Sequence, residues 1–151
     1  MNVNFGKAYD ENAMEFIAIS TSEMEVRLAW LLNVHLKLDL ARAKDVEVEH
    51  KENEFSSHWR FQYYSEEEKL EVNLFENKSP YGTLIPEWSK WDFILKLDHE
   101  RESLAPLWVN KIKAIPGVAA ALQIELTKVK TLEKLIKACI EPIARRWLLR
   151  F

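Results

Sequence analysis

A single cysteine, Cys139, excludes an internal disulfide and points to a reducing compartment. Three glycines in the whole chain leave no glycine-rich loop in which backbone amides could close on a phosphate. P-loop and dinucleotide-binding readings are thereby excluded, and no G-x-S-x-G elbow is present to present a serine nucleophile. No apolar run approaches the roughly 18–20 residues that a membrane span needs. The opening MNVNFGKAYDENAMEFIAIS lacks a basic stretch followed by an apolar core, so a secretory signal is not expected. The four histidines, His35, His50, His58 and His99, stand far apart, with no C-x-x-C or H-E-x-x-H frame, and no metal or other cofactor is expected. An excess of positive charge is missing too. The net charge of −3 argues against nucleic acid or an anionic membrane as the default partner.

What is present is a globular composition, 48% hydrophobic and 30% charged, in a length that suits one domain. The expected organisation is a single domain over 1–151, with a loose N-terminal segment at 1–14 and a basic, apolar tail at 142–151. A soluble cytoplasmic protein follows.

FIAIS (Phe16–Ser20) is a short apolar run and an expected strand. Ser22 and Glu25 then form an S-x-x-E capping box, and Met24, Leu28, Leu31, Leu32 and His35 fall on one face of a helix. DVEVEH alternates as a half-buried strand should. In FSSHWRFQYY (Phe55–Tyr64), Phe55, Trp59, Phe61 and Tyr63 share one face, and Ser56, His58, Arg60 and Gln62 the other. SEEE turns the chain into KLEVNLFE, which predicts an antiparallel hairpin. NKSPYG is a dense turn signal, and DFILKL a buried strand. ESLAPLWVNKIKAI predicts a helix with Leu104, Leu107, Trp108, Ile112 and Ile115 in register, with Pro106 tolerated in its first turn. Pro116-Gly117 stops it and VAAALQIEL returns as a strand, completing a βαβ unit. Thr131 is expected to cap a last, C-terminal helix that Pro142 kinks or ends.

The fold class expected from this order is α+β. It is a single mixed, mainly antiparallel sheet with helices on one face, ferredoxin-like or related, plus the C-terminal helix.

The stretch LIPEWSKWDFILKL concentrates the candidate site. Glu87 and Asp92 could form a carboxylate pair for acid–base work, with His58 as a third member, if a turn brings them together. The plainer reading has Glu87 bonding loop amides and Asp92 bonding backbone where the strand begins. Trp88 and Trp91 in one loop suit a protein-binding surface, since tryptophans are enriched at binding hot spots. The candidate binding residues are therefore Pro86, Glu87, Trp88, Trp91 and Asp92, with His58 and Arg60 on the neighbouring strand. Trp59, Phe61 and Tyr63 could stack bases, but the acids of SEEE beside them favour core packing. Arg145, Arg146 and Arg150, interleaved with Trp147 and Phe151, make a small basic patch. That patch suits a helix end, a docking tail or RNA.

Ile85-Pro86-Glu87, three residues, then Trp91-Asp92-Phe93 resembles the signature of the IPExxxVDY family, small proteins of Bacteroidota. SSHWRFQYY is similar to that family's SSH-aromatic segment, NKSPYGTLIPE to its approach to the motif, and IKAIPGVAAALQIELTKVKTLEKLI to its last βα region. The resemblance runs from Phe16 to Ile136, with Trp91 in place of the valine and Phe93 in place of the tyrosine. The missing tyrosine hydroxyl puts any chemistry of that group in doubt here, and the resemblance implies little else about activity. Four expectations stand, in order: a non-enzymatic domain binding a protein partner near Pro86–Asp92; a small-molecule-sensing, ACT-like regulatory domain, which would form a homodimer; an RNA-associated accessory protein; and last an enzyme using Glu87, Asp92 and His58.

Overall fold

A computed structural model describes residues 14–125 of the chain. The helix expected after Thr131, the tail with Arg145, Arg146 and Arg150, and the segment before Met14 lie outside the described residues.

In chain order the elements are β1 (Met14–Thr21), α1 (Glu25–Leu36), β2 (Ala41–Lys51), β3 (Glu54–Ser65), β4 (Leu70–Glu76), β5 (Lys78–Ser79) and β6 (Gly82–Thr83). A 3₁₀ turn (Pro86–Trp88), β7 (Phe93–His99), α2 (Ala105–Lys113) and β8 (Val118–Ile124) complete them. Six strands form one sheet in the order β2-β3-β4-β7-β1-β8, and β5 and β6 make a separate small hairpin. The pairings are antiparallel throughout. The fold is thus α+β, with antiparallel pairing where a mixed sheet was expected.

The βαβ unit over 93–124 is split. β7 and β8 both pair with β1, which lies between them, so α2 carries the chain across β1 instead of linking neighbours. This explains why FIAIS reads as continuously apolar. A strand in the interior of the sheet has neighbours on both edges and packing on both faces, and seven of the eight β1 residues are buried.

Side-chain alternation divides β1 between two cores. Ile17 and Ile19 join Leu28, Leu31, Leu32 and Leu36 of α1 and Trp108, Val109 and Ile112 of α2 in the larger one. Met14, Phe16 and Ala18 join Val46, Val48, Phe75, Ile94, Leu84 and Ile85 in the second. No residue of either helix belongs to this second core; the segment between β4 and β7 covers it, with Trp88 and Trp91 packed against it.

Three local expectations change. The capping box does not form: the N-cap of α1 is Met24, without a side-chain cap bond. The Thr21 hydroxyl instead accepts from the Glu23 amide at 3.1 Å. Met24 and His35 are exposed and not on the buried stripe, because the helix turns Leu28, Ala29, Leu31, Leu32 and Leu36 inward. β2 begins at Ala41, ahead of DVEVEH, the stretch from which a strand was expected. The connection is held tight by Asn33, whose side chain accepts from the Leu40 amide at 2.7 Å and donates to the Leu40 carbonyl at 3.2 Å.

Candidate functional site: a lid over the second core

The segment from Asn77 to Asp92 closes on itself around one residue. Asn77 is fully buried. Its side-chain amide donates to the carbonyls of Trp88 at 2.9 Å and Trp91 at 2.8 Å, while its Oδ1 accepts from the Ile85 amide at 3.0 Å. Its own backbone donates to Asp92 and accepts from Leu84. A buried amide with every partner supplied holds a loop without a regular ladder. The asparagine was legible only as part of a turn signal; nothing local says that its side chain points inward.

Asp92 ties the far end of the lid to β1. Its Oδ2 accepts from the Thr21 amide at 2.9 Å and from the Ser20 hydroxyl at 3.3 Å, and its Oδ1 lies 3.4 Å from the Lys78 ammonium. This is the plainer of the two readings: Asp92 bonds backbone just before β7 begins. Pro86 opens the 3₁₀ turn, and Pro86 and Glu87 are both exposed. Trp88 and Trp91 are half-buried, and the Trp88 ring meets Phe16 at a centroid distance of 6.0 Å. They are the inner surface of the lid as much as its outer one.

Beneath β5 and β6 lies the part of the site that residue alternation misjudged. Ser56 and His58 belong to the polar face of β3, yet they are 1% and 0% exposed, while Phe55 on the aromatic face is largely exposed. The lid buries that face. The His58 Nδ1–H donates to the Glu76 carbonyl at 2.8 Å, which leaves Nε2 to accept from the Ser56 hydroxyl at 2.6 Å. Ser56 Oγ then accepts from His50 Nε2–H, also at 2.6 Å. A carbonyl can only accept, so the direction of every bond in the chain follows from Glu76. Gly82 makes the roof possible: a Cβ there would stand 2.9 Å from His50 Nε2 and 3.1 Å from Ser56 Cβ.

Burial, and secondarily the neighbouring His50, push the His58 imidazole down to about 4, against the opposing pull of the Glu76 carbonyl and Asp45. It is neutral through the neutral pH range. A serine aligned with a neutral histidine whose other nitrogen is held by an acceptor resembles a nucleophile–base pair. Here the hydroxyl is sealed, and the two histidines saturate it. Of the expected trio of Glu87, Asp92 and His58, Asp92 is bonded toward β1 and Lys78, and His58 toward Ser56 and Glu76. Arg60, half-buried on the same face as His58, has a buried Nε without a hydrogen-bond partner, as has the Oδ1 of buried Asn73.

Trp59, Phe61 and Tyr63 are not a stacking platform. Phe61 is buried in the larger core, Trp59 and Tyr63 pack against it, and the Arg42 guanidinium covers the Trp59 ring at 3.8 Å. Among the described residues no group of three or more His, Cys, Asp or Glu is arranged to hold a metal, and no helix is long and apolar enough to cross a membrane.

A second buried polar cluster went unnoticed in the sequence. Glu15 on β1 accepts from His99 at 2.8 Å, from the amides of Leu104 at 2.8 Å and Ala105 at 3.1 Å, and from the Ser103 hydroxyl. It thereby caps α2 from another element, the role that a local cap residue usually plays. Burial alone would raise its carboxyl, but the bonds from Ser103, His99, Leu104 and Ala105 outweigh burial and hold it below the ordinary glutamate value.

No protein-family model matches the chain, and no curated protein matches it.

Proposed function

We propose that the protein is a non-enzymatic interaction domain that engages a protein partner through the outer surface of the lid, at Pro86 and Glu87 and the accessible edges of Trp88 and Trp91. The observation that carries this reading is the Asn77 hub. It fixes the loop backbone from inside, so the exposed residues are held in place before binding, which reduces the ordering cost that a flexible loop would add on association. Against the enzyme reading stands the commitment of Asp92 and His58 to protein partners, together with the sealing of Ser56.

Membership in the IPExxxVDY family is part of the proposal and rests on the motif over Ile85–Phe93. A ferredoxin-like core is also part of it, with both helices on one face. The segment β4-β7-β1-β8 of the sheet, with the split crossover through α2, supports that core. On this reading β2 and β3 are a hairpin added at its edge. The single cysteine supports a reducing, cytoplasmic setting.

The test is affinity capture from the native host with the tagged wild-type chain and with Glu87→Arg, each with and without nuclease. The expected result is a protein retained by the wild type after nuclease treatment and lost with Glu87→Arg. Equal capture by both chains, or capture abolished by nuclease, overturns the proposal; the second outcome favours an RNA-associated role.

A further inference from the structure

Glu76 stands where three parts of the molecule meet. It is the last residue of β4 and directly precedes Asn77, the hub of the lid. Its backbone carbonyl accepts from His58, on the face that the lid covers. By strand alternation its side chain shares the other face with Val72 and Leu74 of the larger core. There its Oε1 accepts from the Trp59 amide at 3.3 Å, and its carboxyl hydrogen-bonds the Glu25 side chain. Glu25 is the first residue of α1, whose N-cap, Met24, supplies no side-chain bond. Both glutamates are half-buried.

Two ionised carboxylates repel, so a hydrogen bond between them exists only while the pair holds a proton. The charges around Glu76 do not take that proton's place. Asp45 of β2 is a third carboxylate acting on it, and Arg42 is engaged with Asp45 and the Trp59 ring. β3 reaches the Glu76 carboxyl through the Trp59 backbone, and the β7 residue paired with Glu76 is the apolar Phe93. In the lid, Lys78 is paired with Asp92, whose carboxylate is bonded to β1. Burial, and then the Glu25 side chain, hold the Glu76 carboxyl up at about 7. A raised value means that the bond is intact below the ordinary 4.5 and is lost as pH rises through 7.

We propose that the Glu25–Glu76 pair is a pH-sensitive latch fastening the first turn of α1 to the root of the lid, closed while the two carboxyl groups share a proton and released when they lose it. Because Glu76 also holds His58 and adjoins Asn77, repulsion between two facing anions acts on the root of the lid as well as on α1. As a control over how the lid is presented, the latch rests on the function proposed above. As a device it belongs to the free chain and is measured without a partner.

Amide hydrogen exchange of the full chain at pH 6 and pH 8, corrected for the intrinsic pH dependence of exchange, tests it. One pH unit past the midpoint permits at most a tenfold gain in opening, and screening at a half-exposed pair reduces this to about fivefold. That excess is expected in the wild type at pH 8, at the Leu28 amide that closes the first turn of α1 and across 84–92, while α2 does not follow. Glu76→Gln carries an amide that donates to Glu25 at either pH, and is expected to abolish the excess; Glu25→Gln is expected to do the same. A wild type without excess exchange at pH 8, an excess shared by α2, or one that persists in either variant overturns the latch. Failure here leaves the capture experiment unaffected, so the latch and the lid's partner are decided separately.

Discussion

His58 and Glu76 are joined through one hydrogen bond to the Glu76 backbone, and burial shifts their side chains in opposite senses. His58 is held at about 4, below its ordinary value of 6.5. A base with a depressed value contributes stability above 6.5 that is lost as pH falls toward 4, when the unfolded chain takes up a proton first. Nitrogen-resolved NMR is expected to show His58 as the neutral Nδ1–H tautomer down to about pH 4.5. A His58 that titrates near 6.5 would mean that the lid does not seal it. Burial first, then the neighbouring Glu25 carboxylate, raise the Glu76 carboxyl to about 7. Its contribution runs the other way: present below its ordinary 4.5, it is lost as pH rises through 7. Glu76→Gln keeps the protonated shape and removes the charge. It is expected to stabilise the protein at pH 8 by on the order of 1 kcal/mol, after allowance for solvent screening, and by little at pH 4.5. Thermal melts at the two pH values decide it. Glu76 does not stand out in the sequence, since it ends an ordinary alternating strand.

At the scale of elements, the lid is the part whose local pattern misleads most. NKSPYG was legible as a turn, and Asp92 as a backbone-bonding residue before β7. Their common purpose was not, because a lid is defined by what it covers. Once 77–91 lies over the sheet, the polar residues Ser56 and His58 become interior and must bond each other, while Phe55 remains outside. Asn77 holds this arrangement with three side-chain bonds. Asn77→Ala takes their side-chain partner from the Trp91 carbonyl and the Ile85 amide, each loss costing roughly 1–3 kcal/mol, and leaves the Trp88 carbonyl with the Trp91 amide alone. The expected outcome is faster amide hydrogen exchange throughout 84–92 with exchange in α2 unchanged; protection of the loop equal to wild type would remove Asn77 from its proposed place as the hub.

At the scale of the whole molecule, the long-range tie is Glu15. A carboxylate on β1 caps α2 and meets His99 at the end of β7, so three elements distant in sequence depend on one side chain. Glu15→Ala strands the α2 amides and His99 in a buried setting. It is expected to cost about 3 kcal/mol or more, read from urea denaturation. Because the Glu15 carboxyl is held low in the fold, its contribution is present above the ordinary glutamate range and fades as pH falls through the lowered value. A loss below about 1 kcal/mol, the worth of a simple helix cap, would reduce Glu15 to that role.

The sequence by itself determined the element types and most of their order: the strand of FIAIS, the hairpin of FSSHWRFQYY with KLEVNLFE, the helix around Trp108, and the stop at Pro116-Gly117. These follow from periodicity and turn chemistry, which are local. Only the tertiary structure decided that β1 slides between β7 and β8, that Ser56 and His58 on the polar side of β3 are buried as well as Phe61 on the other, and that Trp88 and Trp91 face inward as well as outward. The physical reason is the same in each case. Alternation says that a strand has two unlike faces, but which face is covered depends on a segment elsewhere in the chain. In LIPEWSKWDFILKL the apparent catalytic pair became an anchor, Asp92, and an exposed residue on a rigid turn, Glu87, once Asn77 was seen to hold the loop from within.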